Sequence, residues 1–178
     1  MKDINKVGII GSGLMGHGIA YVTAIVGIKT VMVDRTQKIA DLGLSKIESI
    51  LLGKLRKGLI TKEKMKKTLN KITATNKFKN LLGCDLIIEA VYEDRDLKGR
   101  VTIQAEKYIN EKGIFASNTS TIPITTLAKV SRKPDNFIGI HFFSPVHKMK
   151  LIEIIKGKKT SQTALMKALY YAKKIKKT

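Results

Sequence analysis

The run VGIIGSGLMGHGIA sets Gly11, Gly13 and Gly16 in G-x-G-x-x-G spacing between a strand-like stretch and a helix-like one. That spacing leaves little choice of local fold. The first glycine permits a tight turn, the second lets backbone approach a pyrophosphate, and the third lets helix pack closely on strand, with the helix N-terminus facing the phosphates. Ser12, Leu14 and Met15 complete the same candidate cradle. A second strand-like run, KTVMV, ends in Asp34, 18 residues after Gly16, where a carboxylate can accept hydrogen bonds from adenosine ribose hydroxyls. Together these features predict a dinucleotide site. Asp34 would repel a 2′-phosphate and so favours NAD over NADP, with Arg35 beside it pulling the other way.

The rest of the chain supplies the frame such a loop needs. The runs KVGII, KTVMV, KITAT, DLIIEAV, GIFASN and NFIGIHFF alternate with amphipathic segments, which predicts βαβ units around a mostly parallel, doubly wound Rossmann-type sheet. LIIEAV lacks a clean polar alternation, as a strand covered on both faces does. Between about Gln37 and Lys71 the pattern changes to two lysine-rich helical stretches around KGLITKEK, with Thr61 placed to cap the second. This inserted hairpin reads either as a solvated surface or as an arm over a substrate site. The whole chain, residues 1–178, reads as one domain, and 43% hydrophobic residues with three prolines agree with a globular core.

Composition narrows the function classes. Cys84 stands alone and no C-x-x-C or similar spacing appears, so neither a disulfide nor a metal site is expected. The chain runs directly into KVGIIG without a leader pattern, and no apolar run approaches the ~18 residues of a membrane span, so a cytoplasmic protein with no membrane partner is expected. The formal charge of +20 raises the question of nucleic acid. Only five of the 34 basic residues are arginine and the lysines are scattered, whereas nucleic-acid readers concentrate arginine and interleave aromatics. No specific nucleic-acid partner is expected; attraction of a polyanionic small molecule is.

The stretch FIGIHFFSPVHKMKLIEII carries the chemistry. Two apolar runs flank the Ser144–Pro145 break, one holding His141 and the other Glu153. A hairpin centred near His147 would set these two residues directly opposite one another, on one face, with Cβ atoms roughly 5 Å apart. Burial of either charge alone would be costly, so each is expected to satisfy the other. The pair reads as a general base oriented by a carboxylate, or as a structural ion pair.

With these motifs placed, the chain resembles the L-3-hydroxyacyl-CoA dehydrogenases, including the dehydrogenase part of multifunctional fatty acid oxidation α-subunits. The resemblance runs over essentially all 178 residues and rests on GSGLMGHGIA, IIEAVYEDRDLK, FASNTST and GIHFFSPVHKMKLIEII, in that order. It implies an NAD-dependent oxidoreductase of fatty acid β-oxidation or 3-hydroxybutyryl-CoA metabolism, acting on an acyl-CoA. By the same resemblance His141 is the catalytic base, Glu153 its partner, and Ser120 the group that hydrogen-bonds the substrate's 3-hydroxyl. Glu93 and Lys98 would lie near the nicotinamide half, with helix-start and helix-face charges as the plainer alternative. Ser120 could instead cap the following turn. Asn118 is structural or cofactor-facing. Ser144 stands where many members have Asn, which puts the expected cofactor contact there in question.

Members of this family continue into a helical domain that closes the substrate cleft and contributes an Asn near the His–Glu pair. Here the last segment, SQTALMKALYYAKKIKKT, reads as a helix with Ala164, Leu165, Ala168, Leu169 and Ala172 on its apolar period. The expectation is therefore a cofactor half without that domain. Such a chain would work with a separate helical-domain chain or as a homo-oligomer, or would persist as an NAD-binding remnant or interaction module without turnover.

Overall fold

Seven strands pair into a single sheet in the order β3-β2-β1-β4-β5-β6-β7. The computed structural model describes residues 4–178. The strands are β1 (Lys6–Ile10), β2 (Lys29–Val33), β3 (Ile72–Thr75), β4 (Cys84–Glu89), β5 (Ile109–Ser117), β6 (Phe137–Phe142) and β7 (Ile152–Lys156). All neighbours are parallel except β6 and β7, which run antiparallel. This is the Rossmann-type arrangement expected, with the order reversing between β1 and β4. Each of the six strand-like runs is a strand, but β5 starts earlier than GIFASN. Its polar beginning, Asn110 to Lys112, is exposed and lies next to a register shift between Cys84 and Leu86.

Helices cover both faces, which explains the unbroken apolar runs. Along β4, Leu86 and Ile88 join one core with Ile19, Ile47, Leu51 and Tyr171, while Ile87 joins the other with Phe115, Phe137, Val101 and Leu127. The first core lies under α1 (Leu14–Ala24), α2 (Gln37–Arg56) and α6 (Gln162–Lys174), the second under α4 (Arg95–Ala105) and the single turn α5 (Ile124–Leu127). Local chemistry sets the helix starts. Thr36 caps α2 by accepting from Ile39 N–H, Asp94 caps α4 through Leu97 N–H, and Ser161 caps α6 through Ala164 N–H.

The inserted hairpin is less uniform than its sequence suggests. Thr61 does cap α3 (Lys62–Leu69), accepting from Lys64 N–H at 3.0 Å. However, α2 buries Ala40, Gly43, Ile47 and Leu51 and so belongs to the core layer, whereas α3 buries only Thr68. In α6 the buried positions are Ala164, Ala168, Tyr171 and Ala172, and Leu169 stays exposed. Among the described residues no helix is long and apolar enough to cross a membrane.

Tyr171 fixes α6 to α1. Its fully buried hydroxyl lies 2.7 Å from Thr23 Oγ1, and burial pushes the phenol well above its ordinary pKa despite that bond. Thr23 Oγ1 separately reaches Ile19 O at 2.7 Å. Tyr171→Phe should therefore cost about 1 kcal/mol, one net hydrogen bond, because Thr23 keeps a second partner. Urea unfolding would show it; a loss several times larger would mean the hydroxyl holds more than this contact.

Candidate functional site

Because β1, β2, β4, β5 and β6 are parallel, their carboxyl ends meet along one edge of the sheet. Open α/β sheets bind ligands in the crevice outside that edge, where the strand order reverses. The glycine loop after β1, Asp34 after β2, Glu89 closing β4, the loop after β5 and His141 near the end of β6 all lie there.

In the glycine loop, backbone replaces side chains. A Cβ at Gly16 would lie 1.7 Å from Gly11 O, and Gly11 itself has φ +93°, the left-handed region glycine tolerates. Gly13, the N-cap of α1, has open space around it, no side chain caps the helix, and its first turn carries no acid. Uncapped N–H groups and the positive end of the helix dipole thus face an open cradle, which fits a pyrophosphate. Leu14 is exposed at its rim, and Met15 packs inward on the core. Ser12 is buried and turned toward Asp34. Its N–H donates to Asp34 Oδ2 at 2.7 Å, and its Oγ lies 2.8 Å from the same oxygen and 3.0 Å from Ile39 O. Arg35 N–H donates to Asp34 Oδ1 at 2.7 Å, so the carboxylate is held over the loop by three backbone or hydroxyl donors with lone pairs to spare for ribose hydroxyls.

At the β4 and β5 ends, Glu93 grips a loop. Its Oε1 accepts from Thr119 Oγ1, Ser120 N–H (2.9 Å), Thr121 N–H (3.0 Å) and Thr121 Oγ1 (3.1 Å), while Oε2 lies 3.2 Å from Lys98 Nζ. Partial burial works to raise the Glu93 pKa. Hydrogen bonds from Thr119 and Thr121 and the Lys98 ammonium overcome it and hold the group at about 2. Glu93 precedes the helix cap Asp94 rather than serving as a helix-start charge. Lys98, 1% exposed, is no surface charge either, since its Nζ lies 2.7 Å from Glu89 Oε1. Sequence reasoning missed Glu89, Ser117 and Thr119, all buried here; a carboxylate inside LIIEAV was the available signal.

The hairpin geometry is as expected. His141 pairs opposite Glu153 in the β6–β7 register, with Nδ1 2.8 Å from Glu153 Oε2. Because Nδ1 is taken, Nε2 is the ring nitrogen left to exchange a proton. Phe143 packs against the imidazole at 4.6 Å between ring centroids. Asn118 is structural, its Oδ1 accepting Phe142 N–H at 2.8 Å and tying β5 to β6. Ser120 is exposed, and the turn after it is capped by Thr119 Oγ1, which accepts Ile122 N–H. Ser144 is exposed in the turn. Among the described residues no cluster of His, Cys, Asp or Glu could hold a metal, and burial pushes the Cys84 thiol up to about 12, leaving it inert.

Known proteins are similar to this chain over nearly its whole length. Residues 6–178 match the family described as 3-hydroxyacyl-CoA dehydrogenase, NAD binding domain. The fatty acid oxidation complex subunit alpha of Pseudomonas savastanoi pv. phaseolicola is 42% identical over 174 residues, 98% of this chain, and that of Pseudomonas syringae pv. syringae equally so. This chain spans about a quarter of the length of these relatives, 24%. Among solved structures, (S)-3-hydroxybutyryl-CoA dehydrogenase from Ralstonia eutropha is 38% identical with a TM-score of 0.95, covering 98% of this chain and 62% of that one. 3-Hydroxybutyryl-CoA dehydrogenase from Escherichia coli is 28% identical with a TM-score of 0.96, covering 99% and 38%.

Two outcomes test the local geometry. Gly16→Ala should destabilise the chain by at least about 2 kcal/mol, because helix and loop must separate to admit the methyl group. Retained stability in thermal unfolding would show that α1 can shift cheaply. Glu93 binds its proton more weakly folded than unfolded, so its contribution is present above the ordinary carboxyl value of 4.5 and is lost as pH falls toward about 2. The difference in urea midpoint between the unmutated chain and Glu93→Gln should accordingly narrow across that interval, and a difference independent of pH would contradict the clamp.

Proposed function

From a chain that belongs to the 3-hydroxyacyl-CoA dehydrogenase family through its NAD-binding domain, we propose a protein that binds NAD and serves the oxidation of L-3-hydroxyacyl-CoA to 3-oxoacyl-CoA. The observation that carries this reading is the His141–Glu153 pair, 2.8 Å apart, on the sheet edge that also bears the open α1 N-terminus. Gly11, Gly13 and Gly16 would hold the pyrophosphate, Asp34 the adenosine ribose, and Glu93, Lys98 and Ser144 the nicotinamide half. The cofactor supplies the hydride acceptor.

The chain's own residues handle the proton. His141 Nε2 takes the 3-hydroxyl proton as the substrate's C3–H leaves as hydride, and Glu153, behind Nδ1, holds the ring and stabilises the imidazolium. In the reverse direction His141 returns the proton. Ser120, on the loop that Glu93 grips, would donate a hydrogen bond to the substrate oxygen. A second reading, cofactor binding without turnover by this chain alone, draws on the exposure of Glu153, whose side chain is 53% accessible. Water there weakens the hold on the imidazolium, so a covering surface, from a helical-domain chain or a second copy, would complete the site.

Reduction of acetoacetyl-CoA by NADH, with and without a separately expressed helical domain, separates the two readings. His141→Ala should lose about 10²-fold or more of any turnover, and Glu153→Gln a smaller part, with cofactor binding retained in both. Unaltered turnover in His141→Ala would return the pair to a structural role. Asp34→Ala should weaken NADH binding and narrow the gap to NADPH, and equal affinity of the unmutated chain for the two would refute the NAD preference.

A further inference from the structure

Behind the exposed part of the site lies a closed circuit of polar groups. Glu89 Oε1 accepts from Lys98 Nζ at 2.7 Å and from Val91 N–H at 2.9 Å, and Oε2 accepts from Ser117 Oγ at 2.7 Å. Ser117 Oγ in turn accepts Thr119 N–H at 3.2 Å, Thr119 Oγ1 donates to Glu93 Oε1, and Glu93 Oε2 returns to Lys98 at 3.2 Å. Glu89, Lys98, Ser117 and Thr119 are each 2% exposed or less, so Glu93 is the member through which the circuit reaches the surface. Val91 O lies 3.4 Å from the Lys98 ammonium, giving its three protons three fixed acceptors.

An ion pair buried this deeply seldom adds net stability over an apolar replacement of the same volume, so its contribution is geometric. We propose that Glu89 is a positioning residue for the nicotinamide half of the site: it fixes the Lys98 ammonium and, through Ser117 and Glu93, the loop 119–121 that carries Ser120. It sits in the register pairs Ile10↔Glu89 and Glu89↔Ser117, at the junction between the strand that feeds the glycine loop and the strand that feeds the Ser120 loop. From there it bonds Lys98 and Ser117 directly, and through them connects to Glu93 and Thr119, yet its own burial keeps it from any ligand. This inference rests on the cofactor reading above, which assigns Glu93 and Lys98 to the nicotinamide half. The adenosine half, built from the glycine loop and Asp34, shares no hydrogen bond with the circuit.

That separation supplies the test. ADP-ribose carries the adenosine and pyrophosphate but no nicotinamide, so calorimetric titration of the full chain with ADP-ribose and with NAD+ reads the two halves apart. Glu89→Gln keeps the shape and removes the charge. It should weaken NAD+ binding about tenfold, the size of one hydrogen bond to a charged group, with ADP-ribose affinity within about twofold of the unmutated chain. Loss of a buried partner also costs stability; a merely structural role would lower both affinities alike or neither, and either result would overturn the proposal. Should Glu89→Gln not fold, Ser117→Ala breaks the circuit with a neutral change, and it too should lower NAD+ binding selectively, by a smaller factor; an unchanged NAD+ to ADP-ribose ratio there refutes the inference. An unmutated chain that binds ADP-ribose no more weakly than NAD+ would remove the nicotinamide subsite itself, and the positioning role with it. Failure to bind either ligand would fall on the cofactor reading, whereas NAD+ binding that survives in both variants falls on Glu89 alone.

Discussion

The contact on which most of this architecture rests is one between backbones. At Gly16 the helix α1 approaches the Gly11 carbonyl so closely that even a methyl group has no room, its carbon falling 1.7 Å from the oxygen. This approach turns the N-terminus of α1 out over the sheet edge and brings Ser12 under Asp34. Other elements close on the same point. Gly43, in the interior of α2, comes so near Ser12 that a Cβ there would meet Ser12 Cβ at 2.6 Å, and Gly18 on α1 similarly receives Val146, at 2.8 Å. Val146 follows the strand that carries His141, so the turn beyond the base packs on the helix that the glycine loop opens.

The sheet edge then gathers charge in a graded way. Asp34 is held by backbone N–H groups and a hydroxyl, Glu93 by the same kinds of donor together with an ammonium, and Glu89 is sealed from water with Lys98. Each carboxylate is satisfied by the fold itself, which is the condition for keeping charge at a partly dry edge. The protein's large positive charge plays little visible part in this arrangement. Its lysines are mostly exposed, as on α3, while the site is built mainly from acids and backbone donors.

Much of this was readable because it is periodic or short-range. The strand runs, the cap Thr61 and the His141–Glu153 register follow from alternation, from i-to-i+3 capping and from the symmetry of one hairpin. What escaped reading depends on contacts between elements of different kinds, which no single repeat links. Glu89 interrupts LIIEAV as His141 interrupts FIGIHFF, but its partner Lys98 lies on a helix and its second partner on the next strand, where no single period connects them. Gly43 would have been a clue, since glycine within a helix costs about 1 kcal/mol relative to alanine and asks for a reason; the reason, Ser12, lies across the fold. The start of β5 reads as a loop because pairing with β4 at the sheet's lower edge, not burial, makes it a strand. Leu169 follows the helical period yet stays exposed, because the buried stripe of α6 turns through Tyr171 instead.

The hairpin that joins β6 to β7 also bears on how the site comes into being. Closing a short loop costs a chain far less entropy than bringing distant segments together, and local contacts accordingly form early in folding. Base and orienting acid meet across one hairpin, whereas the strands that carry the cradle and the Glu89 circuit are joined by parallel pairings that need whole crossover helices in place. The two halves of the site therefore depend on different things: one on a single turn, the other on the topology of the sheet.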